Sequence, residues 1–124
     1  SLDTLKLAEI LNNSEKLLNK KCKYFIQINV GEEIQKAGVS LNQFESFYSS
    51  IKKNTNLDII GLMCIPPVDQ NPSRYFKILK NLSKQYGLKE LSMGMSTDYL
   101  EALNNDSTFI RLGTVLFGER FIMR

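Results

Sequence analysis

The sequence predicts an α/β fold in which parallel strands alternate with helices. Four segments whose apolar residues recur at spacings of three and four alternate with four short apolar segments, so the predicted order is helix then strand, four times. Short loops join these segments, and alternation of this kind implies parallel strands linked by right-handed crossovers. The strand segments are apolar on both faces, as in sheets that helices cover. We expect one structural unit rather than two domains.

Local signals place the boundaries of the elements. The first helix begins near Ser1 or Asp3, either of which can cap it, and its apolar row starts at Leu2. The second strand stops at Pro66 and Pro67, because two consecutive prolines cannot stay in a central strand. The predicted helices cover residues 2–20, 40–54, 72–86 and about 97–105, and the predicted strands cover residues 23–30, 58–65, 88–93 and 108–113.

Composition excludes several classes of protein. The chain has 124 residues, of which 43% are apolar and 23% are charged, a balance typical of a folded domain. Its net charge of +3 is too small to indicate a nucleic acid or a membrane as partner. No histidine is present, which excludes Ser-His-Asp triads, Cys-His dyads and His-ligated metal sites within the chain. Cys22 and Cys64 form no C-x-x-C motif, so we interpret both as small buried side chains of a cytoplasmic protein.

Two architectures fit four strand–helix units. One is half of a (β/α)₈ barrel, a fold of about 250 residues, and the other is a free-standing four-stranded sheet. Composition does not separate them, but the chain opens at Ser1 within a helical pattern and without a methionine, which favours the second half of a barrel. Such a half would leave open edges at residues 24–30 and 108–112. We expect the missing half, or another copy of the chain, to cover these edges.

Ligands of α/β proteins gather at the carboxyl ends of the strands. One such end is S-M-G-M-S-T-D, residues 92–98, where a cluster of hydroxyl and carboxyl side chains opens a helix. Free N–H groups at a helix start suit a phosphate. The alternative is that Ser96 or Thr97 merely caps its own helix.

A second polar strand end is R-L-G-T, at the end of the last predicted strand. Gly113 lets a ligand approach the backbone, and Gly113 and Thr114 offer N–H and hydroxyl donors. Arg111 adds a cation on the same strand, unless it pairs with a carboxylate such as Glu90 or Asp106. In the second half of a barrel, these two ends would follow strands 7 and 8, where phosphate sites recur.

Five motifs resemble those of a known family. The runs L-S-M-G-M-S-T-D-Y-L-E-A-L, residues 91–103, and S-T-F-I-R-L-G-T-V-L-F-G-E-R, residues 107–120, resemble the C-terminal signature of the pyridoxal phosphate homeostasis proteins, also called the proline-synthase co-transcribed family. Three further segments resemble that family in the same order, at residues 1–8, 29–38 and 61–67. The resemblance therefore extends over nearly the whole chain.

The resemblance implies a fold and a function. The family consists of single-domain (β/α)₈ barrels related to the barrel domain of alanine racemase, and this chain would be the C-terminal half. Its members bind pyridoxal 5'-phosphate and are regarded as non-catalytic carriers and regulators of intracellular pyridoxal phosphate. The lysine that forms the Schiff base lies in the family's first strand, upstream of the segments matched here. No lysine of this chain matches that motif, and Lys36 belongs to a loop motif where it is either solvated or paired with Glu32 or Glu33.

The resemblance also assigns roles to residues of this chain. Ser96 would hold phosphate oxygens, and Gly113 and Thr114 would complete the phosphate cup. Arg111 would lie against the pyridine nitrogen, where a guanidinium disfavours protonation of the ring because it can only donate. Enzymes that use the cofactor as an electron sink usually place a carboxylate there. The residues expected in the cofactor site are Ser96, Arg111, Gly113, Thr114, Met95 and Met63, the last in the pocket wall or in the core.

Two other functions stay open at this point. The first is an enzyme similar to alanine racemase, which would need a second acid or base such as a tyrosine, although no tyrosine of the chain lies in a motif linked to that role. The second is a phosphate-binding α/β module that does not use pyridoxal phosphate. A bound-cofactor absorbance band and a racemisation assay would separate these from a homeostasis protein.

Overall fold

The computed structural model of the chain describes residues 1–122. Each predicted helix and strand is present, with boundaries that differ by a few residues. The helices are α1 (Leu5–Leu18), α2 (Phe44–Asn54, preceded by a 3₁₀ turn over Leu41–Gln43), α3 (Pro72–Gln85), α4 (Tyr99–Asn104) and α5 (Thr114–Phe117). The strands are β1 (Lys23–Asn29), β2 (Val39–Ser40), β3 (Asp58–Met63), β4 (Glu90–Met95) and β5 (Phe109–Arg111).

The strands form one parallel sheet in the order β2-β1-β3-β4-β5. From β1 onwards the order in the sheet follows the order in the chain. Right-handed crossovers then place α2, α3 and α4 on the same face of the sheet. The carboxyl ends of all strands meet at one edge, because the strands are parallel.

The core lies between the sheet and these helices. On β1 every second residue is buried, and the buried positions Tyr24, Ile26 and Ile28 belong to one core cluster with helix residues such as Phe44 and Phe76. Alternate residues of β1 are only half-buried, and they lie on the opposite face. At β1 the sheet therefore has one face covered by helices and one face that the described residues leave partly accessible, whereas Leu91–Gly94 of β4 are buried on both faces.

The accessible face is concave. The rings of Phe25 on β1 and Phe109 on β5 are in edge contact there, with centroids 5.3 Å apart. Three strand spacings separate β1 from β5, which amounts to about 14 Å in a flat sheet. The contact fits a sheet that curls towards this face, as the strands of a barrel do.

A short fifth strand was not predicted. β2 pairs with the end of β1 through Ile28 and Val39, and Leu2, which was assigned to the first helix, instead forms a parallel bridge with Ile26. Both contacts lie on the outer edge of β1. The expectation that this edge is bare is therefore wrong for part of its length, and Ile26 is fully buried.

The start of α1 also differs from the prediction. Thr4, rather than Ser1 or Asp3, caps the helix, since its hydroxyl accepts a hydrogen bond from the N–H of Leu7 at 3.1 Å. Asp3 accepts the N–H of Gly38 at 3.0 Å and so ties the loop after β1 to the start of the chain. Leu2 lies in extended backbone, and so the helix begins later than the apolar row suggests.

The two cysteines have different environments. Cys64 is fully buried, and burial raises the pKa of its thiol to about 12, so it is inert. The expectation that Cys22 is also buried is wrong, because it is exposed in the lysine-rich loop before β1. Its backbone N–H is held by the carboxylate of Glu15 at 2.7 Å.

No helix of residues 1–122 combines the length and the apolar character needed to cross a membrane. Within the same residues, no group of three or more His, Cys, Asp or Glu side chains is arranged to hold a metal ion.

Candidate functional site

A cavity of about 420 Å³ lies at the carboxyl end of β4 and β5. The structure brings five of the six predicted site residues to it, namely Met95, Ser96, Arg111, Gly113 and Thr114. Met63 does not line this cavity. It lies half-buried at the end of β3, where it pairs with Gln27 and Ser92 in the neighbouring strands.

The end of β4 turns sharply towards the cavity. Gly94 has a φ of 102°, a conformation that favours glycine, and a Cβ at this position would lie 2.7 Å from the side chain of Ala102. The N–H of the next residue, Met95, donates a hydrogen bond to the Asp98 carboxylate at 2.7 Å. The N–H of Asp98 donates in turn to the Met95 carbonyl at 3.1 Å. This closed turn holds Ser96 at the cavity.

The Ser96 hydroxyl connects the two strand ends. Its oxygen accepts a hydrogen bond from the N–H of Val115, at the start of α5, at 3.2 Å. The alternative that Ser96 or Thr97 caps its own helix is wrong, because Asp98 occupies the N-cap position of α4 and no side-chain capping bond is formed there. The hydroxyl proton of Ser96 is left free to donate to a ligand.

Arg111 lies half-buried behind the cavity and is held by three oxygen atoms. Its guanidinium donates to the Ser92 carbonyl at 3.2 Å, to the Ser92 hydroxyl at 2.8 Å and to the Cys64 carbonyl at 3.0 Å. The predicted alternative, an ion pair with Glu90 or Asp106, is wrong: within residues 1–122 Arg111 forms no salt bridge, and Asp106 pairs with Lys80 at 2.5 Å. The charge of Arg111 is therefore fixed in place without a carboxylate against it.

Burial lowers the pKa of Arg111, while the nearby Cys64 and Asp98 groups oppose this effect. A guanidinium stays charged even when its pKa is lowered in this way. The cavity consequently keeps a permanent positive charge along one wall.

Gly113 and Thr114 form the floor of the cavity. Among residues 1–122 their backbone N–H groups donate to no acceptor, and the Thr114 hydroxyl is likewise without a partner. Gly113 has a φ of −115°, which any residue adopts, and a Cβ built there meets nothing within 4 Å. Neither backbone conformation nor packing within the described residues requires glycine here, so its effect is to keep space open beside the free N–H groups.

The chemistry of the lining suits an anion. Among residues 1–122, those that line the cavity include two arginines, Arg111 and Arg120, and three hydroxyl side chains, but no carboxylate. A phosphate group needs donors and positive charge of this kind. The donor set therefore fits the phosphate of a bound cofactor.

Four lining residues were not assigned to the site from the sequence: Thr97, Phe117, Gly118 and Arg120. Three of them lie in T-V-L-F-G-E-R, residues 114–120, which belong to the run that resembles the family signature. The sequence therefore contained a signal that could have identified these three residues. From the run 107–120 the resemblance assigns only Arg111, Gly113 and Thr114 to the site, because the turn of α5 that brings Arg120 back to the cavity is not visible in the sequence pattern.

Lys36 lies away from this cavity, in the loop after β1. Its ammonium group is 3.5 Å from the Glu33 carboxylate and donates to the Pro66 carbonyl at 3.4 Å. Lys36 was expected to be either solvated or paired with Glu32 or Glu33, and in the structure it is paired with Glu33.

The chain is similar to a known family along nearly its whole length. The family model for the alanine racemase N-terminal domain matches residues 1–121. Two relatives called pyridoxal phosphate homeostasis protein, from Aquifex aeolicus and Synechocystis, are 36% and 37% identical over 97% of this chain. These alignments cover 57% and 59% of the relatives, so the chain spans somewhat more than half of their length.

Solved structures have the same fold. The PipY protein of Synechococcus elongatus, solved without pyridoxal phosphate, superposes with a TM-score of 0.84 at 30% identity. The match covers 95% of this chain and 60% of PipY, and a second PipY structure, with pyridoxal phosphate bound, has a TM-score of 0.82. These matches confirm the predicted fold class, a parallel α/β sheet that forms part of a barrel, and they confirm the resemblance to the pyridoxal phosphate homeostasis proteins. The chain belongs to the alanine racemase N-terminal domain family.

Proposed function

We propose that this chain binds the phosphate end of pyridoxal 5'-phosphate, in a protein that carries and regulates the cofactor. One observation carries the proposal: a cavity that the described residues line without a carboxylate holds N–H groups of Gly113 and Thr114 that find no acceptor among those residues, beside the fixed charge of Arg111. The names of the relatives and the PipY structure with pyridoxal phosphate support the same ligand.

In this proposal different residues bind the phosphate and the pyridine ring of the ligand. The Ser96 hydroxyl and the N–H groups of Gly113 and Thr114 bind phosphate oxygens, and the Arg120 guanidinium adds a second cation to the cavity. Arg111 lies against the pyridine nitrogen. Met95 packs at the cavity wall, whereas Met63 contributes from the neighbouring sheet position only if the ligand extends beyond this cavity. When bound, the cofactor supplies an aldehyde that reacts with amines.

We further propose that the protein is not an enzyme. Arg111 can donate but not accept, so it keeps the ring nitrogen unprotonated and makes the bound cofactor a poor electron sink. A racemase also needs a second acid or base, and no tyrosine of residues 1–122 lines the cavity. Tyr24 is buried and its hydroxyl donates a hydrogen bond to the Glu15 carboxylate, while the Tyr75 hydroxyl donates to the Gln70 side chain. Neither hydroxyl faces the cavity as an acid or base.

The chain is further proposed to be one unit, residues 1–124, that forms the second half of a (β/α)₈ barrel. Its coverage of 57–60% of the first relatives and of PipY supports this, as does the curl of the sheet around Phe25 and Phe109. The half that carries the Schiff-base lysine, or another copy of the chain, would then cover the concave face and the free edge of β5. The cytoplasmic location stays a prediction.

Two measurements on the full-length protein test this function. Purified protein mixed with pyridoxal phosphate should develop an absorbance band of bound cofactor, and the loaded protein should racemise alanine no faster than free cofactor does. Absence of the band would favour a phosphate-binding module of another kind. Racemisation well above the free-cofactor rate would instead establish an enzyme.

A further inference from the structure

Asp98 has an unusual position for a helix-capping residue. It occupies the N-cap of α4, where an aspartate usually accepts an N–H from the first turn of its own helix. No such bond is formed here. The carboxylate instead accepts the N–H of Met95, three residues earlier, at 2.7 Å.

This bond closes the turn that carries Ser96. The Met95 carbonyl accepts the Asp98 N–H at 3.1 Å, so two hydrogen bonds join the same pair of residues. Ser96 lies between them in sequence and reaches across to the N–H of Val115 at 3.2 Å. Met95 is also the register partner of Arg111 in the sheet. The turn therefore sets the position of the hydroxyl relative to the cation of the cavity.

Asp98 itself lines a neighbouring cavity rather than the phosphate cavity. Its carboxylate is nevertheless bonded to Met95, which lines the phosphate cavity and is the register partner of Arg111, and the adjacent residue Thr97 lines the phosphate cavity as well. A negative charge beside the cavity wall lowers the attraction of the cavity for an anion. The residue thus combines a bond that orders the site with a charge that weakens binding.

We propose that Asp98 is a positioning residue for the phosphate cavity. By accepting the N–H of Met95, it holds the turn that carries Ser96 in place. This inference rests on the proposed function of the cavity. The hydrogen bond from the Met95 N–H to Asp98 favours phosphate binding because it orders the site, whereas the negative charge of Asp98 lowers the affinity for phosphate.

The test compares Asp98→Ala with Asp98→Asn in the full-length protein, with inorganic phosphate as the probe. Asparagine keeps an oxygen that accepts the Met95 N–H but removes the charge, whereas alanine removes both. Amide NMR titration gives the dissociation constant of phosphate for each variant. The N–H signal of Val115 without phosphate reports on the Ser96 bond directly.

We expect Asp98→Asn to bind phosphate about two- to fivefold more tightly than the natural protein at low salt, with a smaller gain at high salt. Asp98→Ala should bind about tenfold more weakly than Asp98→Asn and should shift the Val115 signal before phosphate is added. Equal affinity of the two variants, or an unmoved Val115 signal in Asp98→Ala, would overturn the inference.

Two further outcomes are distinguishable. If Asp98→Ala does not fold, the asparagine variant decides: phosphate binding no tighter than that of the natural protein, or a displaced Val115 signal before phosphate is added, overturns the inference. If the natural protein shows no response to phosphate, the proposed function of the cavity fails, while the Val115 signal still tests whether Asp98 positions Ser96.

Discussion

Arg111 and Ser92 are joined by two hydrogen bonds across neighbouring strands, from one guanidinium nitrogen to the hydroxyl and to the carbonyl of the same serine. Ser92 is buried, so these bonds lie in a place where water competes little. Together with the Cys64 carbonyl they hold the guanidinium rigid. Every acceptor in these three bonds is neutral, so no carboxylate bonded to Arg111 offsets its charge at the cavity.

This arrangement predicts the effect of removing Arg111. In the full-length protein, Arg111→Ala should weaken pyridoxal phosphate binding about tenfold or more and shift the absorbance band, since a bond to a charged group contributes about 1.5–3 kcal/mol. Lys36→Ala should change both much less, because Lys36 forms a part-exposed ion pair with Glu33. Thermal melting of both variants controls for folding. An unchanged spectrum without Arg111 would contradict its role.

Gly113 offers a test that separates binding from stability. Gly113→Ala should leave the free energy of unfolding within about 0.5 kcal/mol of the natural value, since the new methyl meets no atom of residues 1–122 within 4 Å. It should weaken phosphate binding by at least about tenfold, a loss of about 1.4 kcal/mol, because the methyl lies beside the donors of the cavity.

Gly94→Ala is the matched control for that substitution. At this position the methyl would lie 2.7 Å from the Ala102 side chain, in a backbone with a φ of 102°, so the variant should lose stability. Urea unfolding and a phosphate titration measure the two properties. Undiminished phosphate binding by Gly113→Ala would show that the space beside Gly113 is not used by the ligand.

The Glu15 network predicts how stability depends on pH. The N–H of Cys22, and then the Tyr24 hydroxyl and Lys21, lower the pKa of Glu15 below its usual value of 4.5 in the folded state. The unfolded chain therefore takes up the proton first, so this contribution is complete above pH 4.5 and is lost as the pH falls through the lowered pKa.

Glu15→Gln should therefore reduce stability at neutral pH and flatten its decline in acid, as measured by urea unfolding between pH 3 and pH 7. Glu9→Gln, an exposed change on the same helix, is the control and should follow the natural protein. A Glu15→Gln variant with the natural acid profile would contradict the importance of these bonds.

The isolated 124-residue chain should not capture pyridoxal phosphate covalently at a particular lysine. None of its lysines matches the family's Schiff-base motif, and no lysine is among the residues that line the cavity. Borohydride reduction in the presence of the cofactor, followed by peptide mass mapping, checks this. One stoichiometric pyridoxyl-lysine within residues 1–124 would overturn the expectation and reopen the role of Lys36.

The concave face should make the isolated chain associate. Phe109 is 48% exposed on β5, beside the free edge of the sheet, and Phe25 contacts it across the same face. Sedimentation velocity should show species larger than a monomer whose amount rises with concentration. Phe109→Ser should reduce them, whereas Ile34→Ser, a change at an exposed loop residue, should not. An isolated chain that stays monomeric at all concentrations would contradict the prediction that the exposed apolar residues of the concave face drive association.

The alternation of helices and parallel strands could be predicted from the residue pattern alone, and so could the strand ends that carry the candidate site. Both follow from local patterns: apolar spacing shows which residues are buried, and a parallel sheet brings its carboxyl ends to one edge whatever the details of packing. Ser96 and Gly113 could be placed near one another for this reason, although 17 positions separate them.

The contacts between distant segments of the chain could not be predicted in this way and are seen only in the folded molecule. The two-residue strand β2 and the bridge of Leu2 to Ile26 are too short to leave a periodic pattern. Asp3 bonds Gly38, and Ser96 bonds Val115, because folding brought a free N–H beside a side chain that local rules would assign to its own helix. Arg120 lines the cavity because α5 turns the chain back over it. Such pairings depend on the positions of whole elements in space, which the residue types of one segment do not encode.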